Sequence, residues 1–289
     1  MISGKTRVCG LMGYPVAHSM SPFIQGKLAE AAGDDIAYVT FPVKPGSVGE
    51  AVRGAEALGI CGMNVTVPHK KAVIPFLVSL DPGAEKVGAV NTLVPQENGG
   101  YKGYNTDVIG LRRAFGQYGI DTEGRDVMII GAGGGARAAA FVCAEGKASH
   151  IYIMNRSVEK GVALAEDVNK SMEMSLCSGH ALDDVSGLPG SGMIAVQATS
   201  VGLSPDIDSS PVEDEGILGR ADTVFDLIYT PAETKFMRLA KERGAKAYNG
   251  LWMLVWQAVS AYELWTGHSV DEETARRVYD EVLLKINEN

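Results

Sequence analysis

The segment DVMIIGAGGGARAAAFVCAEG, residues 126–146, constrains the fold more than any other part of the chain. Its composition predicts an apolar strand, a glycine-rich turn and an alanine-rich helix in immediate succession. Within the turn, Gly131, Gly133 and Ala136 form the pattern G-x-G-x-x-A. This pattern, placed between a strand and a helix, is typical of the first βα unit of a doubly wound parallel sheet.

The same turn predicts a dinucleotide site. We expect Gly131 to make the tight turn and Gly133 to let the backbone approach a pyrophosphate, which the helix N-terminus would bind through its free NH groups. The alternative is a glycine turn with a structural role alone. The expected phosphate-binding residues are Gly131, Ala132, Gly133, Gly134, Gly135 and Ala136.

The end of the next predicted strand distinguishes NADP from NAD. An NAD site usually has an acidic residue there, which accepts a hydrogen bond from the ribose 2′-hydroxyl. This chain has Asn155, Arg156 and Ser157 instead, and Lys160 follows one helical turn later. A guanidinium can bind a 2′-phosphate by charge-assisted hydrogen bonds. The sequence therefore predicts NADP(H); solvated residues at a helix start are the alternative interpretation of Arg156 and Lys160.

Predicted strands and helices alternate on both sides of this segment, which indicates two α/β units. In the first, SPFIQGKLAEAAG predicts a helix with Ser21 as N-cap and Gly33 as its end, and ENGG between two β-rich runs predicts a hairpin. A helix from Thr106 leads into the second. The segment LWMLVWQAVSAYELWTG is apolar almost all round a helical wheel, so it predicts a buried helix, and an amphipathic helix follows it.

Composition excludes several classes of protein. The net charge is 26 − 35 = −9, which argues against nucleic acid as the main partner. No apolar run is long enough to span a membrane, and the N-terminus lacks the apolar centre of a secretory signal. The four cysteines and five histidines are scattered, so we expect no metal site and a cytoplasmic location.

Seven motifs together resemble the shikimate dehydrogenase family, which is closely related to the quinate/shikimate dehydrogenases. They are YPVAHSMSP, NVTVPHK, GAVNTL, GYNTD, GAGGGARAAA, NRS and LWMLVWQA. The resemblance implies an α/β fold with two domains. Residues 1–107 would form a substrate-binding domain with a mainly parallel sheet, residues 108–248 a Rossmann-type NADP-binding domain, and residues 249–289 helices that return to the substrate domain. The implied reaction is the reversible, NADP-dependent reduction of 3-dehydroshikimate to shikimate, a step in the synthesis of aromatic amino acids.

The resemblance also implies site residues. Ser19 and Ser21 match a pair that binds the substrate carboxylate, although Ser21 is also the expected helix cap. Lys70 and Asp107 match the catalytic acid–base pair. The remaining matches are Thr66, Asn91, Tyr229 and Gln257 on the substrate side, and Gly250 and Met253 on the nicotinamide side.

The residue chemistry agrees with these roles. Reduction of a ketone by hydride leaves a developing alkoxide, which needs a proton donor within hydrogen-bond reach. A lysine ammonium both stabilises that oxygen and donates the proton, and a carboxylate orients the lysine. Taken singly, Asn91 could satisfy backbone groups, Asp107 could be an acidic residue at a helix start, and Gln257 could bond to a neighbouring backbone.

Some alternatives stay open at this point. A quinate/shikimate dehydrogenase that uses NAD is one rival, and a non-catalytic sensor that binds both ligands is another. Quinate turnover and the choice between a monomer and a homodimer are not decided by these motifs. The chain departs from the family at Gln25 and Gly26, where we expect an effect on packing, and at Gln197, which could alter a loop near the nicotinamide.

Overall fold

The computed structural model describes residues 2–288. The strands are β1 Arg7–Gly13, β2 Ile36–Pro42, β3 Gly62–Val65, β4 Ser79–Leu80, β5 Thr92–Pro95, β6 Tyr101–Tyr104, β7 Asp126–Ile130, β8 His150–Asn155, β9 Cys177–Ala181, β10 Met193–Gln197, β11 Ala221–Asp226 and β12 Lys246–Tyr248. The helices are α1 Ser21–Ala32, α2 Val48–Ala57, α3 Pro82–Val87, α4 Thr106–Tyr118, α5 Gly134–Glu145, α6 Val158–Met172, α7 Glu215–Leu218, α8 Lys235–Glu242, α9 Leu251–Thr266 and α10 Glu272–Asn287.

The chain divides into two compact units. The first contains the residues up to 110 together with those from 255 onward, and the second contains residues 111–254. The chain leaves the first unit within α4 and returns to it within α9. The functional domain boundaries expected from the sequence, after residues 107 and 248, stay predictions.

The first unit is built on a six-stranded sheet of order β2-β1-β3-β5-β6-β4. Strand β1 pairs in parallel with β2 and β3, and β4 pairs in parallel with β6. The predicted hairpin is confirmed as the antiparallel pair β5–β6, with Thr92 opposite Tyr104. The buried apolar core of this unit includes Met12, Val65 and Leu93, which lie on three strands of the sheet. The predicted parallel-rich α/β sheet is confirmed.

Most of α9 and all of the described α10 belong to this first unit. Trp265 on α9 donates its indole NH to the carbonyl oxygen of Leu93 at 3.0 Å. The Gln25 amide nitrogen on α1 donates to the carbonyl oxygen of Ala258 at 3.0 Å. Helix α10 packs on α1, and its N-cap Asp271 accepts a hydrogen bond from the backbone of Thr274 at 2.8 Å.

The second unit contains a wholly parallel sheet of order β12-β11-β10-β7-β8-β9. Numbered within this unit, the order is 6-5-4-1-2-3, which is that of a doubly wound dinucleotide-binding sheet. The central strands β7 and β10 are fully buried apart from Asp126, so their apolar runs face helices or loops on both sides. The predicted doubly wound unit is confirmed.

One local prediction needs correction. Helix α1 begins at Ser21, so its N-cap is Met20 and the prediction of Ser21 as N-cap is wrong by one residue. The Ser19 hydroxyl accepts a hydrogen bond from the Ser21 backbone NH at 3.2 Å. The first residue of the helix therefore has a side-chain partner in Ser19, the residue before the N-cap Met20. Strand β3 ends at Val65, so Thr66 and Lys70 both lie beyond this strand.

Candidate functional site

The segment that carries Lys70 is tied to the first unit by backbone hydrogen bonds at both ends. The backbone NH of Thr66 donates to the carbonyl oxygen of Met12 at 2.9 Å, and the NH of Val90 donates to the carbonyl oxygen of Lys70 at 2.8 Å. Between them, the buried imidazole of His69 bonds through Nε2 to the carbonyl oxygen of Val43 at 2.7 Å. The backbone beside Lys70 is therefore held in place by three separate parts of the unit.

Asp107 lies in the first turn of α4. The side-chain oxygen of Asn105 accepts from the backbone NH groups of Asp107 at 3.1 Å and Val108 at 3.3 Å, and so caps the helix. Lys70 Nζ donates to Asp107 Oδ2 at 2.6 Å. The Asp107 side chain is 12% exposed and the Lys70 side chain 23% exposed, so the ammonium stays accessible to a small molecule.

Asn91 holds the second oxygen of that carboxylate. Its amide nitrogen donates to Asp107 Oδ1 at 2.8 Å and to Thr106 Oγ1 at 3.0 Å. Its amide oxygen accepts from the backbone NH of Thr106 at 2.7 Å. Asn91 therefore satisfies a backbone group and orients Asp107 at the same time, and the two interpretations of this residue are compatible. Both carboxylate oxygens of Asp107 have a donor, which fixes the plane of the group.

The two serines lie next to each other before α1. Ser19 Oγ and Ser21 Oγ are 3.1 Å apart and hydrogen-bonded, and both side chains are partly buried. Two adjacent hydroxyls of this kind match the two oxygens of a carboxylate. Thr66 is partly buried, and its methyl group packs closely against Gly13, where an added Cβ would lie 2.3 Å from Thr66 Cγ2. Packing of the methyl group on that side fixes the side chain of Thr66.

The glycine turn in the second unit has the features that a bound pyrophosphate requires. Gly131 has φ +115°, and a Cβ there would lie 3.0 Å from the carbonyl oxygen of Ala198. A Cβ at Gly133 would meet nothing within 4 Å, so the backbone at this position is open. Helix α5 starts at Gly134 without a side-chain cap, and its first NH groups are available to an anion. The chemistry of this turn fits a dinucleotide.

Beyond β8, the basic residues predicted to bind a 2′-phosphate are exposed. Arg156 and Lys160 form no ion pair with another residue in the described range 2–288. The side-chain amide of Asn155 donates to the carbonyl oxygen of Ser157 at 2.9 Å, which shapes the turn before α6. Two unpaired cations at a helix N-terminus oppose the helix dipole, so an anionic ligand would stabilise this arrangement.

The remaining family matches lie after β11 and at the start of, or on, α9. A Cβ at Gly250 would lie 2.2 Å from the carbonyl oxygen of Leu227, so glycine is needed here for packing whatever else it does. Tyr229 follows β11, and burial raises the pKa of its hydroxyl. Met253 and Gln257 are partly buried on α9. Their roles toward ligands stay predictions.

Gln197 is fully buried and organises the loop after β10. Its amide oxygen accepts from the backbone NH of Thr199 at 2.5 Å, and its amide nitrogen donates to the carbonyl oxygen of Val201 at 3.1 Å. This loop passes the turn at Gly131, because the Ala198 carbonyl limits the space there. Glutamine at this position therefore fixes the loop through both ends of its amide.

Sequence reasoning missed several polar residues of the site. Asn105, Thr106 and Asn64 are buried and make the hydrogen bonds that hold its members together. Asn64 is a polar residue inside the apolar strand β3, and this signal was available in the sequence. In the second unit, Asp226 is fully buried, and burial raises its pKa to about 6 despite hydrogen bonds from Thr234 and Ile228.

Three family models match successive parts of the chain. The shikimate dehydrogenase substrate binding domain matches residues 11–93, shikimate / quinate 5-dehydrogenase matches residues 113–186, and the shikimate 5′-dehydrogenase C-terminal domain matches residues 250–278. The chain is 42% identical over 274 residues to the NADP(+) shikimate dehydrogenase of Caldanaerobacter subterraneus subsp. tengcongensis, covering 94% of this chain and 96% of the relative.

The chain belongs to the shikimate dehydrogenase family.

A second relative, the NADP(+) shikimate dehydrogenase of Desulforamulus reducens, is 42% identical and covers 98% of both chains. A crystal structure of a shikimate dehydrogenase in complex with NADP+ superimposes with a TM-score of 0.88 at 36% identity, covering 98% of each chain. The family resemblance and the fold expected from the sequence are therefore confirmed. Within residues 2–288, no helix is long and apolar enough to cross a membrane, and no cluster of His, Cys, Asp and Glu is suited to a metal ion.

Proposed function

We propose that this protein is an NADP-dependent shikimate dehydrogenase, which reversibly reduces 3-dehydroshikimate to shikimate. The observation that carries the proposal is the Lys70–Asp107 ion pair at 2.6 Å, accessible on the lysine side and oriented on the carboxylate side by Asn91. Membership of the shikimate dehydrogenase family indicates the substrate class. Within the ion pair, Lys70 is the group that can donate or accept the proton of a ketone reduction.

Lys70 acts as the acid in the reductive direction. Its ammonium lies within hydrogen-bond reach of the ketone oxygen, stabilises the developing alkoxide and donates a proton to it. In the oxidative direction the neutral amine takes the proton of the hydroxyl. Asp107 accepts a hydrogen bond from Lys70 and so directs Nζ, while Asn91 prevents rotation of the carboxylate.

The serine pair and the neighbouring polar groups hold the substrate. Ser19 and Ser21 bind its carboxylate through their two hydroxyls, and Thr66 and Asn91 contact ring hydroxyls. Tyr229 and Gln257 complete the substrate contacts. All of these are neutral donors or acceptors, so recognition depends on the direction of each hydrogen bond more than on net charge.

NADPH, when bound, supplies the hydride. The turn from Gly131 to Ala136 binds its pyrophosphate, and Arg156 binds the 2′-phosphate, with further donors from Asn155, Ser157 and Lys160. Gly250 and Met253 line the nicotinamide side. An exposed arginine without a carboxylate partner favours a phosphate monoester over a ribose hydroxyl at this position.

The test is oxidation of shikimate and of quinate, each with NADP+ and with NAD+, followed by the absorbance of reduced nicotinamide at 340 nm. We expect shikimate with NADP+ to give the highest kcat/KM. Faster turnover of quinate with NAD+ would indicate the quinate/shikimate dehydrogenase alternative. Binding of NADP+ and shikimate without turnover in any combination would indicate a sensor and would refute the proposal.

Location and assembly are also proposals. The cysteines Cys9, Cys61, Cys143 and Cys177 are free thiols, as expected of a protein in the reducing cytoplasm. A monomer or a homodimer is proposed, with a small-molecule substrate as the partner. Light scattering coupled to size exclusion would distinguish the two assemblies.

A further inference from the structure

A continuous chain of side-chain hydrogen bonds runs through the first unit and ends on Asp107. Tyr38 on β2 donates its hydroxyl proton to Asn64 Oδ1 at 2.7 Å. Asn64 Nδ2 donates to Thr92 Oγ1 at 3.0 Å, and Thr92 Oγ1 donates to Asn91 Oδ1 at 3.0 Å. Asn91 Nδ2 then donates to Asp107 Oδ1 at 2.8 Å. Each member of the chain donates to the next one.

Backbone groups fix the direction of the two amides in this chain. Asn64 Nδ2 also donates to the carbonyl oxygen of Asn91, which only accepts, so Asn64 Oδ1 must face Tyr38. Asn91 Oδ1 accepts the backbone NH of Thr106, which only donates, so Asn91 Nδ2 must face Asp107. Neither amide can be turned round without losing a bond to the backbone. Both amide donors therefore point toward the carboxylate, and the Thr92 hydroxyl between them bonds to Asn91 Oδ1 and lies 3.2 Å from Thr106 Oγ1.

The other end of the chain is the hydroxyl of Tyr38. Burial raises the pKa of this hydroxyl well above its usual value, so it keeps the proton that it donates to Asn64. The Tyr38 ring is packed against Trp265, with ring centroids 6.1 Å apart, which limits movement of the hydroxyl.

We propose that Tyr38 and Thr92 are positioning residues for the Lys70–Asp107 pair. The Tyr38 hydroxyl orients Asn64, and the Thr92 hydroxyl connects Asn64 to Asn91, whose amide holds Asp107 Oδ1. Loss of either hydroxyl leaves an amide with one hydrogen-bond partner fewer, so the carboxylate that directs Lys70 is held less firmly. This inference rests on the proposed function, in which Lys70 and Asp107 are the catalytic pair.

Two variants interrupt the chain at different points. Tyr38→Phe removes the hydroxyl at the start of the chain, and Thr92→Val removes the central hydroxyl with little change in shape. Each should lower kcat for shikimate oxidation about two- to tenfold, the scale of one neutral hydrogen bond. KM for NADP+ should stay unchanged, because both residues belong to the first unit and the predicted phosphate-binding turn belongs to the second. Thr92→Ser keeps the hydroxyl and should restore kcat.

Tyr101→Phe is the matched control. The Tyr101 hydroxyl is buried in the same unit and donates to the carbonyl oxygen of Ile60 at 2.8 Å, outside the chain. Its loss should lower the melting temperature about as much as Tyr38→Phe does and leave kcat unchanged.

Two results would overturn the inference. The first is a kcat of Tyr38→Phe and Thr92→Val equal to that of the wild type, and the second is an equal loss of kcat in Tyr101→Phe. A wild-type protein that does not oxidise shikimate would refute the proposed function itself, and this inference with it.

Discussion

Replacement of Lys70 by alanine tests the proposed acid–base chemistry most directly. The change removes the ammonium that lies 2.6 Å from Asp107 Oδ2 and leaves the 2.8 Å bond from Asn91 to Oδ1 intact. The carboxylate therefore keeps its orientation but has lost the proton donor beside it. We expect kcat to fall about 10²- to 10⁴-fold, the usual contribution of a general acid. This corresponds to about 2.7–5.5 kcal/mol of activation free energy.

The same change has a smaller effect on stability. The Asp107 side chain is 12% exposed, so its carboxylate loses an ionic partner in a largely buried position. Leaving such a group with one donor fewer should cost about 1–3 kcal/mol of unfolding free energy. Urea unfolding measures this loss. The NADP+ dissociation constant, measured by fluorescence titration, should equal that of the wild type, since the proposed cofactor residues around Gly131 belong to the second unit.

Two further variants test whether turnover needs Lys70 as a proton donor or only a positive charge in this segment. Lys71→Ala removes the adjacent, exposed lysine and should leave kcat and stability unchanged. Lys70→Arg retains a positive charge, but a guanidinium does not release a proton near neutral pH. It should therefore remain far below the wild type in kcat while recovering most of the stability. Methylamine added to Lys70→Ala should restore part of the turnover by supplying an ammonium.

Turnover of Lys70→Ala within tenfold of the wild type would refute the assignment of Lys70 as the acid. Equal loss in Lys71→Ala would show that the segment needs positive charge in general and no particular ammonium. Full activity in Lys70→Arg would refute proton transfer and leave only electrostatic stabilisation of the alkoxide.

Two predictions concern the second unit. Arg156→Ala should weaken NADP(H) binding by about 1.5–3 kcal/mol, the value of a charged hydrogen bond, with NAD(H) affinity unchanged; titration with both cofactors checks this, and equal losses would contradict the 2′-phosphate assignment. Burial raises the pKa of Asp226 from 3.8 to about 6, so the folded state holds this proton more tightly than the unfolded state. The wild type should therefore lose about 1.4 kcal/mol of stability per pH unit, relative to Asp226→Asn, as the pH rises from about 4 to about 6. Urea unfolding of both proteins across this range measures the difference, and parallel pH profiles would contradict the reasoning.

Regular elements with strong local signals could be predicted from the sequence. The strand, turn and helix around Gly131 and the hairpin at ENGG both lie where the patterns place them. The short strands β4 and β12 were missed, because runs of two and three residues contain no periodicity to detect. Their pairing is decided by neighbouring strands of the sheet, which is tertiary information.

Some residues of the site, too, could be predicted from the sequence, and others could not. Lys70 and Asp107 are 37 positions apart, and only a family motif relates them, because spacing alone does not predict that their side chains meet. The role of Asn91 in orienting Asp107 could be expected only in outline. Tyr38 and Thr92 gave no signal, since a tyrosine and a threonine are ordinary strand residues. Their importance follows from the direction of hydrogen bonds, which depends on the backbone groups that surround them.

The return of the chain to its first unit has a consequence for synthesis on the ribosome. The segment that forms the second unit, residues 111–254, is complete before most of α9 and all of α10 have been translated. The first unit contains the Lys70–Asp107 pair, yet α1 lacks the Ala258 carbonyl that receives the Gln25 amide until α9 emerges. At about 5–20 residues per second, the last helices follow the second unit by a few seconds. During that time the nascent chain exposes apolar surface on α1 and its sheet, so the half of the protein that is translated first is the half that matures last.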